Sequence, residues 1–216
     1  MKTITQHITE RLKLNKDRVQ RYEYFPETKQ ELKDIIYKIT DEHKNDKVID
    51  LNIIDTSEIT DMSELFAYSK FNGDISQWDV SNVTDMNGIF YQSDFNNDIS
   101  QWNVSQVKDM NIMFKQSKFN QDISQWDVSS VEDMTGMFSF SEFNQDISKW
   151  NVSNVVNMAN MFRYSEFNND ISDWDISNVE NMYGIFYNSK FKQDLTPWKD
   201  KIKNSSQLKY IQDYIK

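Results

Sequence analysis

Aspartates recur along this sequence at a fixed spacing of 24 residues, and carboxylate oxygens are ligands that Ca²⁺ prefers. The first column comprises Asp74, Asp98, Asp122, Asp146, Asp170 and Asp194, and the second comprises Asp79, Asn103, Asp127, Asn151 and Asp175. If successive repeats stack about 5 Å apart, the first column brings like charges together, whereas the alternation of Asp with Asn along the second column relieves the repulsion without a metal. Calcium binding is one interpretation of these columns. The favoured interpretation is that the aspartates cap turns by accepting backbone N–H groups, so we predict no metal and no cofactor.

Residue types for other catalytic chemistry are scarce. The sequence has no cysteine, only four glycines and two histidines, His7 and His43. These counts exclude a thiolate metal site and a glycine-rich phosphate loop. They also leave no histidine inside the repeated region to act as a general base. We therefore predict that the protein is not an enzyme.

Charge and hydropathy argue against two classes of partner. The formal net charge of −10 repels a phosphate backbone, so we predict no nucleic-acid binding. No apolar run approaches the roughly 20 residues of a membrane-spanning helix, so we predict no membrane insertion. The N-terminal residues lack the continuous apolar segment typical of a signal peptide, and no cysteine is present to carry a lipid anchor. As the sequence stands, these features favour the cytoplasm.

Both aspartate columns belong to a 24-residue repeat that dominates the sequence. The stretch 71–81 returns with small changes at 95–105, 119–129, 143–153 and 167–177, and in a degenerate form from residue 191. All six tryptophans follow the period: Trp78, Trp102, Trp126, Trp150, Trp174 and Trp198. A fixed period of this length predicts a solenoid, in which each repeat packs only on its neighbours.

Caps are expected at both ends of the array, because an uncovered end exposes core and unpaired backbone. An amphipathic helix is predicted around residues 4–14. A second helix, at about 28–43, begins with the capping box of Thr28 and Glu31. The predicted boundaries are 1–46 for the N-terminal helical cap, 47–190 for six repeats of which the first is degenerate, and 191–216 for a degenerate last repeat with a C-terminal helical cap.

Each repeat is predicted to hold a short parallel strand on one face and a short helix or 3₁₀ turn on the other. Trp78 and Val80 are two residues apart, so they share one face of a strand. Val83, Met86 and Phe90 follow at helical spacing. The predicted fold class is therefore an α/β repeat solenoid that is leucine-rich-repeat-like, with helical caps at both ends. In the last repeat Pro197 marks the strand as an edge, since proline cannot donate to a ladder.

The repeat motif reads Phe-Asn-x-Asp-Ile-Ser-x-Trp-Asp/Asn-Val-Ser-x-Val-x-Asp-Met-x-x-Met-Phe. Within it, Ile75-x-x-Trp78-x-Val80 has the spacing of the leucine-rich-repeat strand signature. Over about residues 47–198 the motif resembles the BspA-like family of bacterial leucine-rich repeat surface proteins. The resemblance implies a bacterial cell surface, adhesion and protein binding, and it brings no catalytic residues.

Two surfaces are candidates for binding. The outward row consists of side chains that alternate with Trp78 and Val80 on the predicted strand, together with their equivalents. Its candidate residues are Gln77, Asp79, Gln101, Asn103, Gln125, Asp127, Lys149, Asn151, Asp173 and Asp175. The tyrosine ridge consists of Tyr68, Tyr91, Phe140, Tyr164 and Tyr187, of which Tyr91 and Tyr164 are site candidates. The ridge rings either face a partner, where tyrosine is favoured, or pack against the next corner.

These surfaces support two functional hypotheses. The leading hypothesis is a non-enzymatic scaffold that binds a protein partner through the outward row, with the tyrosine ridge as the second choice. The alternative is a glycan-binding adhesin whose exposed tyrosines stack on sugars. The sequence identifies neither the partner nor the oligomeric state.

Overall fold

The described backbone consists of one α-helix, a long series of turns and three short 3₁₀ helices. A computed structural model describes residues 22–46, 48–203 and 205–215. The α-helix, α1, spans Lys29–Glu42, and the 3₁₀ helices span Thr196–Trp198, Ser205–Tyr210 and Gln212–Tyr214. The amphipathic helix predicted around residues 4–14 lies outside the described residues. Within the described part of the chain, no helix has the length and apolar character needed to cross a bilayer.

Helix α1 begins at the predicted capping box and covers one end of the apolar interior. The Thr28 hydroxyl oxygen accepts a hydrogen bond from the Glu31 backbone N–H at 3.2 Å. This bond satisfies one of the N–H groups that a helix start leaves without a partner. Leu32, Ile36 and Ile39 are buried and join the core of the repeats. The helix therefore shields the first repeat from solvent.

Successive 24-residue segments of the chain meet at single parallel bridges. These bridges pair Asp61 with Asp85, Asp85 with Asp109, Asp109 with Asp133, Asp133 with Asn157, and Asn157 with Asn181. Two further parallel bridges, Tyr24 with Ile54 and Asp50 with Asp74, join the first repeat to the segments on either side. The sequence period therefore coincides with the spacing of the backbone contacts.

Residues 86–93, which include part of the predicted short helix or 3₁₀ turn, form a series of tight turns. Alternate N–H groups donate to carbonyl oxygens of the next repeat at 2.8–3.1 Å; they belong to Met86, Gly88, Phe90 and Gln92. The N–H groups of Ile89, Tyr91 and Ser93 donate three residues back within the same repeat, whereas the Asn87 N–H donates to the Asp85 Oδ1. The φ angles of Gly88 and Gln92 are +57° and +51°, outside the range of a right-handed helix. An N–H that donates to the next repeat is also unavailable for an α-helical hydrogen bond.

Residues 75–80, the predicted parallel strand, form no bridge to a neighbouring repeat in the described structure. The Trp78 backbone N–H turns inward to the Ile75 carbonyl oxygen at 3.2 Å. A side chain provides the link between repeats here, because the Trp102 indole N–H donates to the same carbonyl oxygen at 3.1 Å. All six tryptophans donate to a carbonyl oxygen 27 residues earlier at 3.0–3.1 Å. Apart from the bridge between Asp50 and Asp74, the parallel bridges between repeats lie instead at the column of Asp85.

Aromatic rings fill the interior in continuous columns. The first column has ring centroids 5.6–5.8 Å apart and comprises Phe66, Phe90, Phe114, Phe138, Phe162 and Phe186. The second has centroids 6.2–6.4 Å apart and comprises Phe71, Phe95, Phe119, Phe143, Phe167 and Phe191. Met86 and its equivalents are buried beside them. A few large side chains per repeat therefore provide the burial that stabilises the array.

The C-terminal segment covers the last repeat with 3₁₀ helices and side-chain hydrogen bonds. The Lys201 ammonium group donates to three backbone carbonyl oxygens, those of Ser172 at 3.2 Å, Asp173 at 3.2 Å and Trp174 at 2.9 Å. Pro197 lies in the 3₁₀ helix Thr196–Trp198 and not on a strand edge. Its fixed φ suits the first turn of a helix, where its missing N–H costs nothing.

Candidate functional site

Both predicted columns of aspartate and asparagine accept hydrogen bonds from the backbone of their own turns. In the first column, the Oδ1 atoms of Asp74 and its equivalents accept the N–H two residues later at 2.8–2.9 Å. In the second column, Asp79 and its equivalents accept the corresponding N–H at 3.0–3.2 Å. Among residues 22–46, 48–203 and 205–215, no three His, Asp or Glu side chains are placed to hold a metal ion. The geometry is that of turn capping.

The same hydrogen bonds favour the ionised carboxylate. The backbone N–H and the hydroxyl of Ser124 hold the pKa of Asp122 below its ordinary value. The Ser129 hydroxyl and backbone N–H lower the pKa of Asp127 in the same way. Donors within each turn therefore offset the repulsion along the columns.

A third column, which sequence reasoning missed, lies at the bridges between repeats. Each member accepts the N–H two residues later at 2.7–3.1 Å; the members are Asp61, Asp85, Asp109, Asp133, Asn157 and Asn181. Burial raises the pKa of Asp109, and the charges of Asp85 and Asp133 raise it further, against the lowering effect of the Asn111 N–H. The signal in the sequence was the Asp-Met or Asn-Met pair, which recurs at the same period.

The outward row is largely exposed, but its residues contribute to their own turns. The Gln101 and Gln125 side chains each donate to the hydroxyl of the preceding serine at 3.2 Å, and Asp79 is only half-exposed. Lys149 and Asp173 lie together in a shallow polar cavity of about 310 Å³. The structure thus brings two of the predicted site residues into one cavity, while the remainder of the row recurs with nearly the same chemistry in each repeat.

The tyrosine ridge exposes a large area of ring surface. The exposed fractions are 68% for Tyr68, 46% for Phe140, 39% for Tyr164 and 54% for Tyr187, whereas Tyr91 is half-buried. Phe140 stacks on Tyr164 with ring centroids 4.6 Å apart, and Tyr164 meets Tyr187 edge-on at 5.6 Å. At the other end, Tyr68 meets Tyr91 edge-on at 5.1 Å. The rings therefore support one another and still present apolar surface.

Two cations accompany these rings, and the sequence-based site left them out. The Lys115 Nζ lies 5.5 Å from the centroid of the Tyr91 ring. The Arg163 guanidinium carbon lies 5.3 Å from the Tyr164 centroid and 4.9 Å from that of Tyr187. All three distances are within the range of cation–π attraction. Lys115 and Arg163 occupy the same register as Tyr91 and Tyr187, which was the signal available in the sequence.

The 24-residue segments and the surfaces that recur on them define the chain as a repeat protein. It belongs to the repeat-type family described as "Mycoplasma protein of unknown function, DUF285", which matches residues 31–142 and 116–213. The two matches overlap, and together they extend from α1 into the last 3₁₀ helix. No curated protein and no solved structure matches the chain.

Proposed function

We propose that this protein is a non-enzymatic, protein-binding scaffold built as a leucine-rich-repeat-like solenoid related to the BspA-like family. Its partner docks on the tyrosine ridge. The observation that carries the proposal is the set of exposed rings at Tyr68, Phe140, Tyr164 and Tyr187. Tyrosine and arginine are enriched among the residues that dominate binding energy at protein interfaces, and the ridge combines both.

The ridge also has the rigidity that favours binding. The Phe140 N–H donates to the Arg163 carbonyl oxygen at 2.7 Å, and the Tyr164 N–H donates to that of Tyr187 at 2.9 Å. Phe140 and Tyr164 are thus mounted on a backbone that is hydrogen-bonded to the next repeat. A partner that binds such a surface loses less conformational entropy in ordering it.

The outward row is the second candidate surface for the same function. Its aspartates and asparagines already accept hydrogen bonds within their turns, as Asp127 does from the Ser129 N–H at 3.0 Å. Its residues also change little between repeats, so the row offers few features that distinguish one partner from another. These two points favour the ridge over the outward row.

The glycan-binding alternative uses the same rings, because Tyr91 and Tyr164 present aromatic faces on which sugars stack. In this structure Lys115 lies over the Tyr91 ring and Arg163 lies over Tyr164 and Tyr187. A sugar must displace these cations before it stacks. A glycan array probed with the wild type and with a Tyr91→Ala/Tyr164→Ala variant separates the two functions.

The test of the scaffold proposal is a binary affinity measurement. Proteins captured from an extract of the source cells are identified and purified, and each is titrated against three variants. Phe140→Ala/Tyr164→Ala removes the ridge, Asp127→Lys/Asp175→Lys reverses charge on the outward row, and Val48→Ala removes an exposed apolar side chain elsewhere. We expect the ridge variant to weaken binding about tenfold or more. Loss of affinity only in the outward-row variant assigns binding to that surface, and no affinity for any protein rejects the proposal.

A further inference from the structure

Beside Phe140 of the tyrosine ridge, two residues are smaller than those at the same register in the adjoining repeats. Gly136 occupies the register of Ile112 and Asn160, and Ser139 occupies the register of Lys115 and Arg163. The side chains of the neighbouring repeats therefore project on both sides of a gap. This gap is a cavity of about 250 Å³ lined by these six residues together with Thr135 and Phe140. We call it the notch.

Positive charge flanks the notch. Lys115 lies on one side and Arg163 on the other. Within the described part of the chain, neither side chain forms an ion pair, and the Arg163 Nη1 makes a long hydrogen bond of 3.4 Å to the Asn160 Oδ1. The protein as a whole has a formal net charge of −10. Lys115 and Arg163, which have no carboxylate partner among the described residues, therefore flank one cavity together, and they favour an anion between them.

We propose that the notch binds a carboxylate, namely a glutamate side chain of the partner protein that docks on the tyrosine ridge. This inference rests on the proposed function. The Arg163 guanidinium matches a carboxylate in a planar, bidentate geometry. Phe140 and Ile112 supply apolar wall for the aliphatic stem of glutamate. The acidic protein repels a phosphate dianion more strongly than a single carboxylate, so the carboxylate is the favoured anion.

The probes are two libraries of short random peptides that differ only at one fixed central position, glutamate in one and glutamine in the other. Both are selected on the wild-type protein, and the enriched peptides are synthesised and titrated. We expect enrichment from the glutamate library, and we expect a Glu→Gln change in each peptide to weaken binding about tenfold. Equal enrichment of the two libraries overturns the carboxylate proposal.

Variants of the protein locate the carboxylate. Arg163→Gln removes a cation, and Ser139→Tyr fills the notch with the residue that Tyr91 and Tyr187 provide at the same register. Both should weaken the glutamate peptides about tenfold, whereas Lys190→Gln, an exposed cation elsewhere, should leave them unchanged. If Ser139→Tyr does not fold, Gly136→Asn fills the notch with the residue found at Asn160, where φ is also positive at 56°. Undiminished binding to a folded, filled variant overturns the site.

Two further measurements test whether the anion is a glutamate, a phosphate or a sialic acid. They also distinguish failure of the notch inference from failure of the proposed function. Peptides with phosphoserine at the fixed position, and a sialylated trisaccharide, are titrated against the same variants. Tighter, notch-dependent binding of either one overturns the choice of a glutamate. If peptides bind through Phe140 and Tyr164 without regard to glutamate, only the notch inference fails. If no peptide or protein binds through the ridge, the proposed function fails with it.

Discussion

The indole N–H of Trp126 donates a hydrogen bond to the carbonyl oxygen of Ile99, 3.1 Å away and 27 residues earlier in the chain. Leucine, the residue that gives leucine-rich repeats their name, has no donor to offer there. Among the residues that the structure describes, the backbone around Trp126 forms no bridge to its neighbours. The tryptophan column therefore performs two tasks at once, because each ring fills the core and also links its repeat to the preceding one.

Replacing Trp126 with phenylalanine tests this double role. The Ile99 carbonyl oxygen loses its partner in a buried site, which costs about 1–3 kcal/mol, and the smaller ring adds a cavity cost of about 1 kcal/mol. We expect the free energy of unfolding to fall by about 2–4 kcal/mol, measured by calorimetry or urea denaturation. The matched control is Phe138→Leu, which removes core volume without removing a donor. Equal losses in the two variants contradict a separate contribution from the indole N–H.

The sequence specified the repeat well and the hydrogen-bond pattern poorly. The period alone placed Trp78 and Met86 in the interior, because every copy repeats the same apolar positions, and both are buried. Apolar spacing does not determine which backbone groups pair between repeats. The spacing predicts parallel contacts at Trp78 and Val80, whereas the structure has them at Asp85. Nothing in the sequence indicated the positive φ of Gln92, because residues other than glycine seldom adopt a positive φ.

Asp109, in the column at the bridges, and Asp122, in the first column, are predicted to respond in opposite directions to substitution by asparagine. Burial, together with the charges of Asp85 and Asp133, raises the pKa of Asp109, whereas hydrogen bonds from Ser124 lower the pKa of Asp122. Asp109 therefore contributes most below the ordinary aspartate pKa of about 4, and this contribution is lost as the pH rises through its folded value. Asp122 contributes above the ordinary pKa, and its contribution is lost as the pH falls through its folded value.

At neutral pH we expect Asp109→Asn to raise the melting temperature and Asp122→Asn to lower it slightly. Asparagine keeps the turn-capping oxygen, as Asn157 and Asn181 do in the same column as Asp109. Removing like charge between neighbouring chain segments is worth about 0.2–1 kcal/mol. Melting curves recorded from pH 3 to pH 7 make the comparison. If the two substitutions shift stability in the same direction, the charge argument is wrong.

Gly73 and Gly88 are expected to differ in how well they tolerate substitution by asparagine. An added Cβ at Gly73 meets the Ile49 carbonyl oxygen, and it would lie 2.6 Å from a carbon of the Phe71 ring. At Gly88 the nearest atom is 3.5 Å away, although φ is +57°, a conformation that asparagine tolerates. Asparagine is present at the equivalent positions Asn97 and Asn160 in other repeats.

We therefore expect Gly73→Asn to cost about 1–3 kcal/mol through overpacking and Gly88→Asn to cost well under that. Urea denaturation of both variants measures the difference. The prediction follows from the contact between the first two repeats, where the Ile49 carbonyl oxygen and the Phe71 ring occupy the space that a Cβ at position 73 would need. Equal tolerance of the two substitutions means that this contact relaxes freely.

Lys201 is expected to stabilise the C-terminal end of the array. Its ammonium group donates to the carbonyl oxygens of Ser172, Asp173 and Trp174, which belong to the last repeat with a complete motif. Charge-assisted hydrogen bonds contribute about 1.5–3 kcal/mol, so Lys201→Met should destabilise that end by about this amount. Each repeat contacts only its neighbours, so the loss should remain local. Hydrogen exchange should accelerate around residues 171–198 and remain unchanged around 75–102, while the exposed Lys199→Met control has no effect. Uniform acceleration along the array would show that Lys201 stabilises all repeats together, and unchanged exchange would show that its three hydrogen bonds contribute nothing to stability.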